Sequence, residues 1–426
     1  MKNRIASLIF GLIQTTFLFC QNNGGITAEA QAKLRLLRKE VSQNLTNNIL
    51  SYWSSGMPDL TNNGFFGRID GKEKIHSEAE KGGILNARIL WTFSSAYRIT
   101  HDTSYLYLAT RARDYILSNF IDSRYGGAFR SLKADGTPSD TRKQLYTNAF
   151  FIYGLSEYFR ATGDESSLAE ARKIFDLFEK YAADKEFNGY YESFTRDWQR
   201  DNSDISGGRA DKNDKTMNTS LHIMEAYANL YRVSHDIAVG DRLRNIVGIF
   251  LDRIIDKETS HLICFLDRQW RSKSTLNSYG HDIECSWLLV EAADLLGDKD
   301  LSDKVKGVSI RIVNAASEGY QPDGSMLSEK NYATGHSEKR RSWWEQAETV
   351  VGYLNAFELT GDESYLDKSL KCWEYIKQNF VDYKNGGWFS YVSAEGTAGG
   401  DKAGFWICPY HSGRMCMEVM ERAGQL

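Results

Sequence analysis

Eight histidines occur in the 426 residues, and three of them, His222, His281 and His411, sit near the start of helical segments in three separate stretches of chain. Imidazole both accepts and gives a proton near neutrality, so these side chains point to general acid–base chemistry. One such histidine alone reads as a core or capping residue. Three within the first turns of three different helical segments read as one site. Glu284 follows His281 by three residues, on the same helical face, where a carboxylate can orient or charge-tune the ring. The pair is not a metal set, because no HExxH or second carboxylate cluster completes it. Arg88 and Asn218 can donate hydrogen bonds to hydroxyls or to an oxyanion, and Trp343, Trp344, Trp388 and Trp406 offer flat faces to a pyranose ring. Glu345 and Glu348, taken with Glu284, form the competing hydrolytic reading. Asp282 falls off that face and reads as structural, and the other five histidines lie in loops or turns with no chemistry assigned.

The elements that must bring these residues together are repeated. A Gly/His-Asp turn recurs at 101–102, 163–164, 235–236, 297–298 and 361–362, at intervals of 62 to 72 residues, each between two helical patterns. Short Gly-aromatic segments such as RYGGAFRSLKADG (124–136) and KNGGWFSYVSAEG (385–396) separate the pairs and read as small hairpins. With helices at 28–53 and 404–422 the count is six pairs. This predicts an all-α closed (α/α)6 barrel, in which no terminal repeat is left to cap. One helix of each pair opens on polar and aromatic residues: KGGILNARILW (81–91), KQLYTNAFF (143–151), KTMNTSLHI (215–223), YGHDIECSW (279–287), SWWEQAETV (342–350) and GFWICPYHSGR (404–414). Parallel inner helices would collect these six starts at one mouth.

Composition agrees with a soluble globular chain. Hydrophobic residues are 42%, and a formal charge of -4 offers no basic surface for a phosphate backbone, so nucleic acid is not an expected partner. The 10 Trp, 23 Tyr and 21 Phe supply both helix packing and sugar-stacking faces. Lys2 and Arg4 precede a charge-free run over 5–19, too short for a membrane span but of secretory-signal form, with Cys20 a candidate for lipid attachment. We therefore expect a leader at 1–22 and one catalytic domain at 23–426, exported or lipid-anchored if the leader functions and cytoplasmic otherwise. The five later cysteines show no CxxC pair, disulfide framework or zinc spacing.

The motifs KGGILNARILWTFSSAYR, MNTSLHIMEAYANLYR, GHDIECSWLLVEAADLLG, WWEQAE and GFWICPYHSGR, in that order from about residue 30 to the end, resemble the cellobiose 2-epimerase family within the N-acylglucosamine 2-epimerase superfamily. The resemblance implies the same barrel and epimerisation at C2 of the reducing-end sugar of β-1,4-linked disaccharides (cellobiose, lactose, mannobiose), without cofactor or metal, with a monomer expected. It makes His281 and His411 the residues that remove and return the C2 proton, and associates His222 with ring opening. Arg88, Asn218, Glu284, Trp343 or Trp344, Trp388 and Trp406 match sugar-contacting positions, and a family aspartate falls near Asp211 or Asp214. The alternatives are an aldose-ketose isomerase using the same intermediate, a glycoside hydrolase on the same barrel, and a glycan-binding lipoprotein without chemistry.

Overall fold

The computed structural model describes residues 26–201 and 215–426. The leader with Cys20, and Asp211 and Asp214, lie outside the described residues. Twelve main helices alternate between an outer and an inner layer. The outer helices are α1 (Ala28–Asn44, continued through a wide turn into Ser51–Gly56), α3 (Thr103–Tyr115), α5 (Glu165–Leu177), α7 (Ile237–Ile249), α9 (Lys299–Ala316) and α11 (Glu363–Asn379). The inner ones are α2 (Gly83–Thr100), α4 (Leu145–Thr162), α6 (Met217–Ser234), α8 (Tyr279–Leu295), α10 (Trp343–Thr360) and α12 (Tyr410–Gln425). Each inner helix packs on the next, and α12 packs on both α10 and α2, so the ring closes as expected from the repeat. The last inner helix starts at Tyr410 rather than 404, because residues 404–409 form the loop that carries Trp406 to the rim.

The recurring Gly/His-Asp turn has a direct explanation. His101, Gly163, His235 and Gly361 end their inner helices in the left-handed region, each with a backbone N–H returning to the last turn. The aspartate that follows caps the outer helix: Asp102, Asp164, Asp236, Asp298 and Asp362 each accept a backbone N–H of the first turn. Two residues therefore stop one helix, reverse the chain and start the next. Inner helices are apolar nearly all round, as α2 shows with every residue from Gly83 to Ala96 buried, whereas outer helices bury one stripe.

At the opposite end of each pair, two- or three-residue strands tie neighbouring repeats. Lys81–Gly82 pairs antiparallel with Ser131–Leu132, Lys143–Gln144 with Ser193–Phe194, and Lys215–Thr216 with Phe265–Leu266. The first strand of each pair lies directly before an inner helix and so fixes the height at which that helix's first turn enters the barrel. Among the described residues no helix is long and apolar enough to cross a membrane, and the five cysteines are free and buried.

Candidate active site

The first turns of the inner helices meet, and ring contacts trace the meeting point. His222 (α6) packs on Phe150 (α4) at 4.8 Å between centroids, Phe150 on Tyr410 at 5.5 Å, and Tyr410 on His411 (α12) at 4.8 Å. His411 lies 5.7 Å from Trp344 (α10), and Trp344 lies 4.7 Å from His281 (α8). Five inner helices thus contribute to one continuous cluster that holds all three expected histidines. Gly280 makes the last contact possible, since a Cβ there would stand 2.7 Å from the Trp344 ring.

The histidines are held differently. His222 Nδ1 bonds Glu225 at 2.8 Å and His411 Nδ1 bonds Glu348 at 2.7 Å, which leaves Nε2 of each outside that bond. His281 Nδ1 instead meets Ser278 Oγ at 2.7 Å. The expectation that Glu284 orients His281 is therefore corrected. Glu284 shares the helical face but turns to Arg414, whose Nη2 donates to Glu284 at 2.6 Å and to Glu348 at 2.7 Å. Arg414 also donates to Glu225, which Tyr410 reaches as well. The i,i+3 histidine–carboxylate pair that does form is His222–Glu225.

Electrostatics follow from burial and from this count of charges. Burial pushes all three imidazoles down, His281 to about 3 with His222 nearby adding to the effect, so each enters neutral and able to take a proton. Burial and the neighbouring Glu348 push Glu284 up to about 8, which makes it a protonated acid at neutrality, and burial raises Glu348 as well. Burial would raise Glu225 too, but Arg414 and His222 hold it at about 2. Glu284, Glu348 and His411 offer ligand atoms within 4.8 Å of one another, and the cation that bridges the two carboxylates is the Arg414 guanidinium.

Several of the expected sugar contacts fit a binding role. Arg88 Nε, Asn218 Oδ1, Glu284 Oε2 and Trp343 Nε1 are buried polar atoms with no hydrogen-bond partner among the described residues, a state that native structures seldom tolerate without a ligand or water. Arg88 is steadied by Tyr146, at 2.9 Å, and by the faces of Phe150 and Tyr410. Trp406 is 44% exposed at the rim beside Tyr146. Trp388 is the exception. Its indole N–H donates to Asn44 of α1 and its ring lies against Trp373 of α11, so it is 6% exposed in the outer layer and belongs to packing there. Its place beside a Gly-Gly turn resembles a sugar-stacking position in sequence, but the turn, closed by the Val381–Trp388 bridge, directs the ring outward.

Glu345 is also removed from the hydrolytic reading: it accepts the Ser342 N–H and caps its own helix. Sequence reasoning missed Glu225, Arg414 and Tyr410. The His-x-x-Glu spacing at 222–225 was available as a signal for the first, whereas the second is visible only once α12 closes the ring.

Residues 64–411 match the family described as N-acylglucosamine 2-epimerase (GlcNAc 2-epimerase). The cellobiose 2-epimerase of Bacteroides fragilis is 48% identical over 388 residues, spanning 90% of this chain and 99% of that protein. That of Ruminococcus albus is 38% identical over 390 residues, spanning 91% and 99%. The solved cellobiose 2-epimerase of Bacillus thermoamylovorans superposes with a TM-score of 0.88 at 36% identity, covering 91% of this chain and 100% of that one.

Proposed function

The chain belongs to the N-acylglucosamine 2-epimerase family and is a carbohydrate epimerase of the cellobiose 2-epimerase kind, and from that premise we propose that it inverts C2 of the reducing-end sugar of β-1,4-linked disaccharides such as cellobiose, lactose and mannobiose. The observation that carries the reading is the meeting of three neutral imidazoles around one cluster of aromatic rings and orphaned polar atoms.

In the proposed sequence His222, backed by Glu225, moves the proton that opens the pyranose ring. The aldehyde then acidifies C2–H. One of His281 and His411 removes that proton through its free Nε2, giving a planar cis-enediolate, and the other returns a proton to the opposite face. Each imidazole has an acceptor or hydroxyl on Nδ1 that fixes its plane, so neither must reorient when it changes charge. Arg88 and the amino termini of the inner helices supply positive potential to the oxygen that gains charge. Glu284, protonated, can give a hydrogen bond to a sugar hydroxyl through its unpartnered Oε2.

The test is incubation with cellobiose, lactose and mannobiose in D2O followed by NMR. Deuterium at C2 of an epimer is the expected outcome. A ketose as main product would make the chain an isomerase, and free monosaccharides would make it a hydrolase. The Lys2/Arg4 leader and its apolar run support export; recovery of the mature chain only in the cytoplasmic fraction would remove that part of the reading.

A further inference from the structure

The turns that follow the outer helices share one backbone pattern. Asp59, Asp122, Asp184 and Asp382 each donate their N–H to the carbonyl of a glycine five residues on: Gly64, Gly127, Gly189 and Gly387. All four glycines are left-handed, with φ between 63° and 77°. A side chain there has no room; a Cβ on Gly127 would lie 2.7 Å from Trp198 and 3.1 Å from Asn148 Oδ1. In the fourth turn Asp256 N–H donates to the carbonyl of His261 instead, at 2.9 Å, and His261 is not among the residues with positive φ. That one change of backbone region sends an imidazole inward where the four glycine turns have no side chain and the fifth turn, in which Gln321 N–H donates to the Ser325 carbonyl, has only a small hydroxyl residue.

The imidazole meets Asp282, the residue after His281. Asp282 stands where Asn148 and Gln346 stand in other repeats. Those amides clamp their turns neutrally, Asn148 through the N–H and carbonyl of Ala128 and Gln346 through those of Met326. Asp282 accepts the Leu262 N–H at 2.8 Å and His261 Nδ1 at 2.7 Å. The clamp is therefore charged and titratable only in the repeat that delivers His281, which is also the catalytic candidate with no carboxylate of its own.

We propose that His261, through Asp282, is a positioning residue that fixes the first turn of α8 and hence the aim of His281. This rests on the reading of His281 as a proton-transfer residue. The groups facing His261 are Asp282 and Tyr279 of α8, Glu318 at 3.7 Å after α9, Tyr332, and Asp256 of its own segment. Burial would lower the imidazole, but Asp282 and Glu318 outweigh it and raise its pKa. The clamp is thus an imidazolium–carboxylate ion pair below that raised value and a neutral imidazole bonded to the Asp282 carboxylate above it.

Two variants test this: His261→Gln, and the pair His261→Gly with Asp282→Asn, which rebuilds the neutral clamp of the second repeat and keeps the test valid if the single variant folds poorly. Both should lose about tenfold in kcat for C2 exchange with KM changed less than twofold, a loss typical of a misaimed catalytic group. In the unaltered enzyme kcat should fall as pH rises through the His261 titration, and that fall should be absent from the double variant. Independently of any sugar chemistry, the His281 Hε1 resonance of the ligand-free enzyme should show an inflection at the His261 titration that both variants lack. An unaltered kcat and pH profile in the double variant, or a His281 resonance blind to His261, overturns the proposal. Failure of the unaltered enzyme to place deuterium at C2 overturns the epimerase reading alone, and the resonance still decides the clamp.

Discussion

At the rim of the barrel four buried lysines each meet one buried aspartate: Lys81–Asp59 at 2.9 Å, Lys143–Asp122 at 3.1 Å, Lys215–Asp184 at 3.1 Å and Lys402–Asp382 at 2.8 Å. At its centre one arginine serves three glutamates. In the rim pairs the remaining valences are filled as well. Lys81 also donates to the Asn63 carbonyl, and Asp59 accepts the N–H groups of Thr61 and Asn62. Burial by itself would raise the four aspartates, yet their cations, with Arg196 at Asp122 and Arg268 at Asp184 joining the lysines, and the turn N–H groups hold all of them below the usual carboxylate range. Each rim lock gives its aspartate at least one cation, and those of Lys81, Lys143 and Lys215 tie a turn to the strand ahead of an inner helix. The centre is unbalanced by design of its count, so one carboxylate sits low at about 2 and another at about 8. The contrast teaches that burying charge is not itself a catalytic signature. What marks the site is burial without matched partners, which moves titrations toward neutrality.

Substitution should separate the two regions. The largest effect is expected at the centre: His281→Ala or His411→Ala should lower C2–H exchange by roughly a hundred- to ten-thousand-fold while disaccharide binding, followed by calorimetry, persists. Near-normal turnover in either variant would take that residue out of the mechanism and blur the contrast.

At the rim, Lys81→Met should act on stability rather than chemistry. It leaves Asp59 buried without its cation, at a cost of about 3–5 kcal/mol in denaturant unfolding, and adding Asp59→Asn should return most of it. A single variant as stable as the parent would show that the lock is not balanced by that lysine.

The smallest effect concerns pH. The three central histidines have folded pKa values pushed below 6.5, so below pH 6.5 the unfolded chain binds protons that the folded one does not, for His281 down to about 3. Stability then rises with pH up to 6.5, is complete above it and is lost as pH falls, by roughly 1 kcal/mol for His281 one unit below 6.5. His261, raised, works in the opposite sense. The rim aspartates, lowered, contribute stability above 3.8 that disappears only in stronger acid. Glu284, raised to about 8, makes the fold less stable as pH climbs from 4.5 to 8. Urea titrations of the parent and of His222→Gln at pH 5.5 and 7.5 would resolve the first window, and an unchanged pH slope in the variant would remove His222 from it.

Much of this molecule was legible along the chain. The Gly/His-Asp turns specify helix ends and starts through local backbone geometry, and a 3.6-residue period marks which face each outer helix buries, so six pairs could be counted without coordinates. Regular repeats then place His222, His281 and His411 within the first two turns of their inner helices. Partner choice was not legible. Whether a carboxylate three residues away serves an imidazole depends on what else competes for it, and for Glu284 the competitor, Arg414, comes 130 residues later. Trp388 looks in sequence like the other mouth tryptophans, but the turn closed by its bridge to Val381 aims its ring toward Asn44. Helix limits arise from bonds between near neighbours in sequence, whereas the charge balance of the site arises from ring closure, which brings α12 between the first helices and the last.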